Sequence, residues 1–274
     1  MNSYIFILCP PFSGSTLLWK IVSTSNTVSS LPGEGQSISE VKKVMRQAPW
    51  NPATKMPWKT IKKVWGKYWE KNKPLLLEKS PPNIIRAQEI AKHFLPAYFL
   101  IMVRNPYAHC EGLIRRNNMT AKDACEFAVR CLRQQAENVK NLNNTLCFTY
   151  EELVSSPKSV SRAIESFIPQ IGRLQYTENF ALRSIDGIVD RGIVNLNTKK
   201  ISNLSPKSIK QINKVLLNNI DIMNFWGYEC LETTFLHTFN FLKTRSGLLF
   251  STMPSRSRRM VNRLKSSLVG YGNK

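Results

Sequence analysis

Residues 4–18 read Tyr4-Ile5-Phe6-Ile7-Leu8-Cys9-Pro10-Pro11-Phe12-Ser13-Gly14-Ser15-Thr16-Leu17-Leu18. An apolar run of strand length stops at two prolines, which cannot continue a sheet ladder. Gly14 then lets the backbone turn tightly, and apolar residues resume at Leu17 and Leu18 with a helix beginning at Ser15. The hydroxyls of Ser13, Ser15 and Thr16 lie beside the open N–H groups of that helix start. With the helix dipole they form a place for a phosphate or sulfate. The same segment could equally be a strand-to-helix turn with no ligand. It is not a G-x-x-x-x-G-K-[ST] loop, because Ser15 stands where the lysine belongs. That counts against a magnesium-dependent ATPase or GTPase.

Outward from this turn, three further apolar runs have strand length: Leu75–Glu78, Tyr98–Val103 and Leu146–Thr149, beside the first at Tyr4–Cys9. Between and after them, Ser15–Ser25, Asn83–Phe94, Tyr107–Arg116, Ala121–Leu142 and Pro157–Phe167 read as helices. The alternation predicts an α/β fold of three layers, a central parallel sheet flanked by helices on both faces. Ligands in such sheets bind beyond the carboxyl ends of the strands. Residues 40–73 read as an insertion capping that edge, with Trp50, Trp58, Trp65 and Trp69 among ten Lys/Arg. Its tryptophans are expected to pack down on the body. In 203–227, Ser205 and Pro206 open a helix whose Ile209, Ile212, Leu216 and Ile220 share one face. The expected organisation is one domain over 1–232 and a basic, helical extension over 233–274.

The 274 residues include 42% hydrophobic and 10% aromatic, enough for a substantial core and against a disordered chain. The 6 cysteines form no C-x-x-C pair, which argues against a disulfide scaffold or zinc ribbon; they are expected as reduced core thiols. No His/Cys/Asp/Glu cluster has metal-ligand spacing, so no metal is expected. No membrane span or leader is read, so the expectation is a soluble cytoplasmic protein. The 39 Lys+Arg against 18 Asp+Glu give a net charge of +21, a field that attracts anions. Eight of those charges fall in 233–274, which has no Asp or Glu. That tail reads either as a solvated appendage or as a peripheral contact with anionic membrane. Interleaved charge and tryptophan also suit nucleic acid. No helix-turn-helix, RNA-recognition or zinc pattern accompanies them, and no specific nucleic acid is expected.

Several segments taken together resemble the sulfotransferases that use 3′-phosphoadenosine 5′-phosphosulfate (PAPS). Pro11–Leu18 resembles their 5′-phosphosulfate loop, and Glu78-Lys79-Ser80-Pro81 their lysine turn. Phe99–Pro106 is similar to their 3′-phosphate strand and turn. Phe148–Val154, followed by Pro157, is similar to their Tyr-Glu-Asp-Leu segment, and Leu204–Glu229 to the shared end of bacterial and Golgi-type members. Five likenesses in family order over residues 3–230 are more specific than any one of them.

The resemblance implies a P-loop-like fold, PAPS as cosubstrate and sulfuryl transfer to a hydroxyl, with a carbohydrate or glycolipid as the expected acceptor. It implies donor contacts from Phe12, Ser13, Gly14, Ser15, Thr16 and Leu17. Arg104 would bind the 3′-phosphate, Tyr150 would lie near the adenine, and Arg191 with Lys199 and Lys200 would form a late basic loop. Lys79 would stabilise charge on the departing oxygen. Pro81 stands where cytosolic members carry a histidine base, so Glu34, in Gly33-Glu34-Gly35, is the expected general base, as in tyrosylprotein and Golgi-type enzymes. Two departures stand out. Gly112 replaces a usual serine at the 3′-phosphate, with Arg115 or Arg116 as candidate substitutes. Phe12 replaces a usual Arg or Lys, a loss that a cation from residues 40–73 could make good. A nucleotide- or polyanion-binding relative with little catalysis, and a tyrosyl-protein sulfotransferase, stay open as alternatives.

Overall fold

The computed structural model describes residues 2–184 and 187–232. Five parallel strands form one sheet in the order β2 (Val28–Ser30), β3 (Leu75–Glu78), β1 (Ser3–Leu8), β4 (Ala97–Val103) and β5 (Thr145–Thr149). The central strands are apolar on both faces because helices cover both. Ile5, Ile7, Leu100 and Met102 face one buried cluster, and Phe6, Leu8, Phe99 and Ile101 face the other. This is the predicted α/β three-layer architecture.

The helices follow in chain order as α1 (Ser15–Val22), α2 (Ser39–Arg46), α3 (Trp58–Trp65), α4 (Ala87–His93), α5 (Pro106–Asn117), α6 (Ala121–Asn141), α7 (Tyr150–Ser155), α8 (Pro157–Phe167), α9 (Asn197–Ser202), α10 (Pro206–Leu217) and α11 (Ile220–Phe225). Their starts are dictated locally. Asn105 caps α5 by accepting from Tyr107 N, Thr149 and Glu152 form a capping box on α7, and Ser205 caps α10 ahead of Pro206. Outside the main sheet, β6 (Phe180–Ser184) and β7 (Gly187–Arg191) pair antiparallel.

Three elements differ from the sequence reading. The expected helix 83–94 is a 3-10 turn over Pro81–Ile85 followed by α4. The break is at Arg86 (φ −121°), whose buried guanidinium donates to the carbonyls of Thr54 (2.7 Å), Asn51 (3.1 Å) and Pro49 (3.4 Å). That anchor ties the insertion to the body. Ile220 does not extend the buried face of α10, because the helix ends at Leu217 and Ile220, 45% exposed, opens α11. Strands β2, β6 and β7 were not anticipated. The expected extension over 233–274 lies outside the described residues.

The insertion consists of α2, α3 and the loops around them. Trp58, Trp65 and Trp69 are buried among Phe94, Ile61 and Phe6, with edge-on ring contacts at 5.8 to 6.4 Å between the indoles. These three form a floor, as expected, whereas Trp50 is half-buried against Phe127 on the wall of a cavity. No helix among the described residues is long and apolar enough to cross a membrane. Trp65 is fully buried, so Trp65→Ala is expected to cost about 3–5 kcal/mol in a urea melt; a loss under about 1 kcal/mol would mean the floor does not hold the insertion.

Candidate functional site

The carboxyl ends of β1, β3 and β4 open on a cavity of about 610 Å³. Seven Lys/Arg and two Glu line it. The turn after β1 forms one wall. Gly14 has φ 98°, and a Cβ there would meet the Tyr150 ring at 2.5 Å, so only glycine fits both the left-handed backbone and the close approach. The Ser13 hydroxyl turns to the Pro11 carbonyl at 3.4 Å and its N–H to Pro10, so Ser13, fully buried, holds the turn instead of facing the cavity. Pro11, Phe12, Gly14, Ser15, Thr16 and Leu17 lie on the wall. The N–H groups of Gly14 and Thr16 have no partner among the described residues.

Arg104, at the end of β4, is buried. Its Nε donates to Asn197 Oδ1 at 2.8 Å and its Nη1 to the Phe12 carbonyl at 3.1 Å. The guanidinium lies 3.8 Å over the Tyr150 ring. Its Nη2 is buried with no hydrogen-bond partner, a costly state for a charged donor. Burial lowers the Arg104 pKa, and nearby Tyr150 and Glu151 oppose that shift. Glu151 accepts from Asn197, from Asn105 N (3.0 Å) and from Tyr228 (2.9 Å), so it ties the residues after Arg104 to the Asn197 that Arg104 holds. The Tyr150 hydroxyl meets Val194 O and Leu196 N, holding the loop that follows β7. Arg191, at the end of β7, lies on the same cavity.

Phe12 has φ 60°. A Cβ on Gly112 would meet the Phe12 Cβ at 2.6 Å and Lys200 Nζ at 3.0 Å. Gly112 is therefore buried beneath residue 12, whose Cβ and Cγ, together with Lys200 Nζ, leave no room for a side chain at 112. Arg115 and Arg116, the candidate substitutes for the usual serine there, both line the cavity, and Arg115 shares Glu111 with Lys200. Lys200 is the cation nearest the missing side chain, 3.3 Å from Glu111 Oε2 and 3.2 Å from Ala108 O. Burial and the Arg104 charge push its pKa down to about 8 against the pull of Glu111. From the insertion, Arg46 reaches the cavity wall with Trp50.

Glu34 and Lys79 are brought together: Lys79 Nζ donates to Glu34 Oε1 at 3.1 Å, with Gln36 Nε2 on Oε2 at 2.6 Å. Glu34 lines the cavity; Lys79, 6% exposed, sits behind it. Sequence reasoning missed the group that sets this pair. Glu78 Oε1 accepts from Gly35 N at 3.0 Å and from Ser80 Oγ, while Asn83 Nδ2 holds Oε2 at 2.6 Å. Ser80 Oγ accepts from Gln36 N at 3.1 Å, and Trp65 Nε1 donates to Gly35 O at 3.1 Å. A Cβ on Gly35 would lie 2.7 Å from Trp65 and 2.8 Å from Glu78. The turn bearing Glu34 is thus clamped from both sides. The available signal was a charged residue closing the apolar run Leu75-Leu76-Leu77.

His109 is buried, with Nε2 unpartnered and its pKa lowered to about 3 by burial and by the Lys200 and Arg104 charges. It is not on the cavity wall. Among the described residues no group of three His/Cys/Asp/Glu is placed to hold a metal ion.

No family model and no curated protein matches the sequence. Solved structures do. The sulfotransferase from Alicyclobacillus acidocaldarius is 14% identical, with 84% of this chain and 97% of that one covered and a TM-score of 0.52. The sulfotransferase domain of the curacin biosynthetic pathway is 19% identical over 84% of this chain and 99% of that one (TM-score 0.49). Mouse sulfotransferase SULT7A1, complexed with PAP, is 12% identical over 81% and 85% (TM-score 0.47). The chain has the sulfotransferase fold, a P-loop-like α/β sheet; the Alicyclobacillus likeness carries that statement.

Burial pushes the Glu78 carboxyl up from 4.5 to about 7, against the donors of Ser80 and Gly35. A raised carboxyl contributes stability that is full below its ordinary value and is lost as pH rises through the folded one. Between pH 5 and pH 8 the native chain should lose about 1–3 kcal/mol of unfolding free energy relative to Glu78→Gln in urea melts. Parallel curves for the two proteins would mean that Glu78 does not titrate in that window.

Proposed function

We propose that the chain is a PAPS-dependent sulfotransferase acting on a hydroxyl, with a carbohydrate or glycolipid as acceptor. The observation that carries this reading is the unpartnered Nη2 of buried Arg104 on the same cavity as the open N–H groups of Gly14 and Thr16. One cavity thus offers anion donors on two separate strand ends, as a nucleotide phosphorylated at both ends of its ribose requires. The donor supplies the sulfuryl group; the rest is done by the chain.

Gly14, Ser15 and Thr16 would hold the 5′-phosphosulfate, and Arg104 with Lys200 the 3′-phosphate. A charge-assisted hydrogen bond from Arg104 Nη2 suits a phosphate, and the engaged Nε and Nη1 fix the orientation of that group. Glu34 would take the acceptor proton, since it faces the cavity and its turn is clamped by Glu78 and Trp65. Lys79, which does not line the cavity and donates to Glu34 at 3.1 Å, would stabilise charge on the departing oxygen by turning its ammonium from that pair into the cavity. The reaction type asks mainly for positioning and charge stabilisation. Arg46, which lines the same cavity from the insertion, would make good the cation absent at Phe12.

The desulfated nucleotide PAP at about 100 times its Kd should stabilise the protein by about 2.7 kcal/mol, about 5–10 °C in Tm at this size, and Arg104→Ala should abolish that shift. Absence of any shift in the native protein removes the donor assignment. In turnover with radiolabelled donor, Glu34→Gln and Lys79→Ala should each lower kcat by about 10² or more. Glu34→Gln should keep its PAP-induced Tm shift, and full activity in that variant would strip Glu34 of the base role.

A further inference from the structure

Residues 40–73 carry ten Lys/Arg against two Glu, a surplus of eight, whereas residues 1–232 as a whole carry a surplus of thirteen. Most of the positive field of the described body therefore comes from this one insertion. Its two acids are already engaged, Glu40 with Lys67 at 3.8 Å and Glu70 with Lys73 at 3.3 Å. Lys42, Lys43, Lys59 and Lys63 are exposed and have no acidic partner among the described residues. On α2, Lys42 and Lys43 lie one turn before Arg46, Lys43 opposite buried Val41 and Met45 and Lys42 at the edge of that buried face. Arg46 in turn lines the cavity, as Glu34 does. On α3, Lys59 and Lys63 lie one turn apart, opposite the buried Trp58, Ile61, Val64 and Trp65. The α3 lysines thus stand on the tryptophan floor, and the α2 basic residues end at the cavity with Arg46.

We infer that the outer face of α2 and α3 is a docking surface for an acidic polysaccharide, which lies across the lysines and presents a hydroxyl to Glu34 past Arg46. The inference rests on the sulfotransferase reading and adds to it that the acceptor is a polymer bearing carboxylates or sulfates. Three features favour this chemistry. Lysines act as separate point charges that suit spaced anionic groups, not the planar bidentate recognition of arginine. Single-stranded nucleic acid stacks successive bases on a run of exposed aromatic platforms; Trp58, Trp65 and Trp69 are buried in the floor, which leaves Trp50 and Tyr68 as the accessible rings of the insertion's helices and loops. Half-buried Trp50 on the cavity wall gives an apolar surface against which the C–H face of a sugar ring packs. A concentrated field next to the cavity would also raise the local concentration of such an acceptor.

Fluorescent polygalacturonate, poly-glutamate and oligothymidylate of matched charge test the assignment by anisotropy on the full chain at physiological ionic strength. Polygalacturonate should bind tightest. The combined variant Lys42→Gln, Lys43→Gln, Lys59→Gln, Lys63→Gln should weaken it about tenfold or more, with a shallower salt dependence. An equal neutralisation elsewhere, Lys158→Gln, Lys207→Gln, Lys210→Gln, Lys214→Gln, should cost less than about threefold. Equal losses in the two sets, or no loss in the first, overturn the surface. Tighter binding of poly-glutamate or oligothymidylate through the same lysines overturns the glycan. The PAP-induced Tm shift, measured on the same samples, should be unchanged in the first variant. It also keeps the two readings apart: a native chain without that shift fails the donor reading whatever the polyanion does, and a shift without lysine-dependent binding fails only the docking surface.

Discussion

A buried guanidinium is the constraint around which this fold's functional edge is organised. Arg104 leaves β4 into a region without water to solvate it, and its neighbours supply most of what water would have given. The Phe12 carbonyl, the Asn197 amide oxygen and the Tyr150 ring each come from a different stretch of chain. Glu151 balances the charge at one remove, through Asn197. Because a buried cation tolerates few arrangements, these contacts fix the first turn, the start of α7 and the start of α9 relative to one another. One donor, Nη2, is left without a hydrogen-bond partner.

The second organising relation is steric. Phe12 and Gly112 share a volume that holds one side chain, not two. Exchanging a cation for an aromatic ring at position 12 would, taken alone, have weakened an anion site. Here the ring covers α5, Lys200 arrives from α9, and Arg46 from the insertion. Positive charge around the cavity is thereby supplied from elements distant in sequence from the loop that would ordinarily carry it.

What was legible in the chain follows from how each feature is encoded. The sheet and the first turn were readable because buried parallel strands are continuous apolar runs and because Gly14 punctuates the junction. Glu34 and Lys79 could be picked out only by likeness to a pattern; their 3.1 Å approach is a tertiary fact. Strand β2 is the three residues Val28-Ser29-Ser30, too short and polar to show a period, and it exists because β3 offers it a ladder. The split of the expected helix 83–94 comes from Arg86 reaching carbonyls more than thirty residues upstream, which no local propensity reports. Glu78 read as the end of a strand, and its function as a clamp required knowing that Gly35 lies against it.

The tryptophan floor has one more consequence. Trp65 touches the Glu34 turn directly through its indole N–H and is in edge-on contact with Trp58 and Trp69. Indoles so arranged couple their ultraviolet transitions and emit according to their immediate surroundings. The molecule therefore carries its own optical gauge beneath the cavity, and a displacement of the glutamate turn would register in near-ultraviolet dichroism and intrinsic emission without any attached dye.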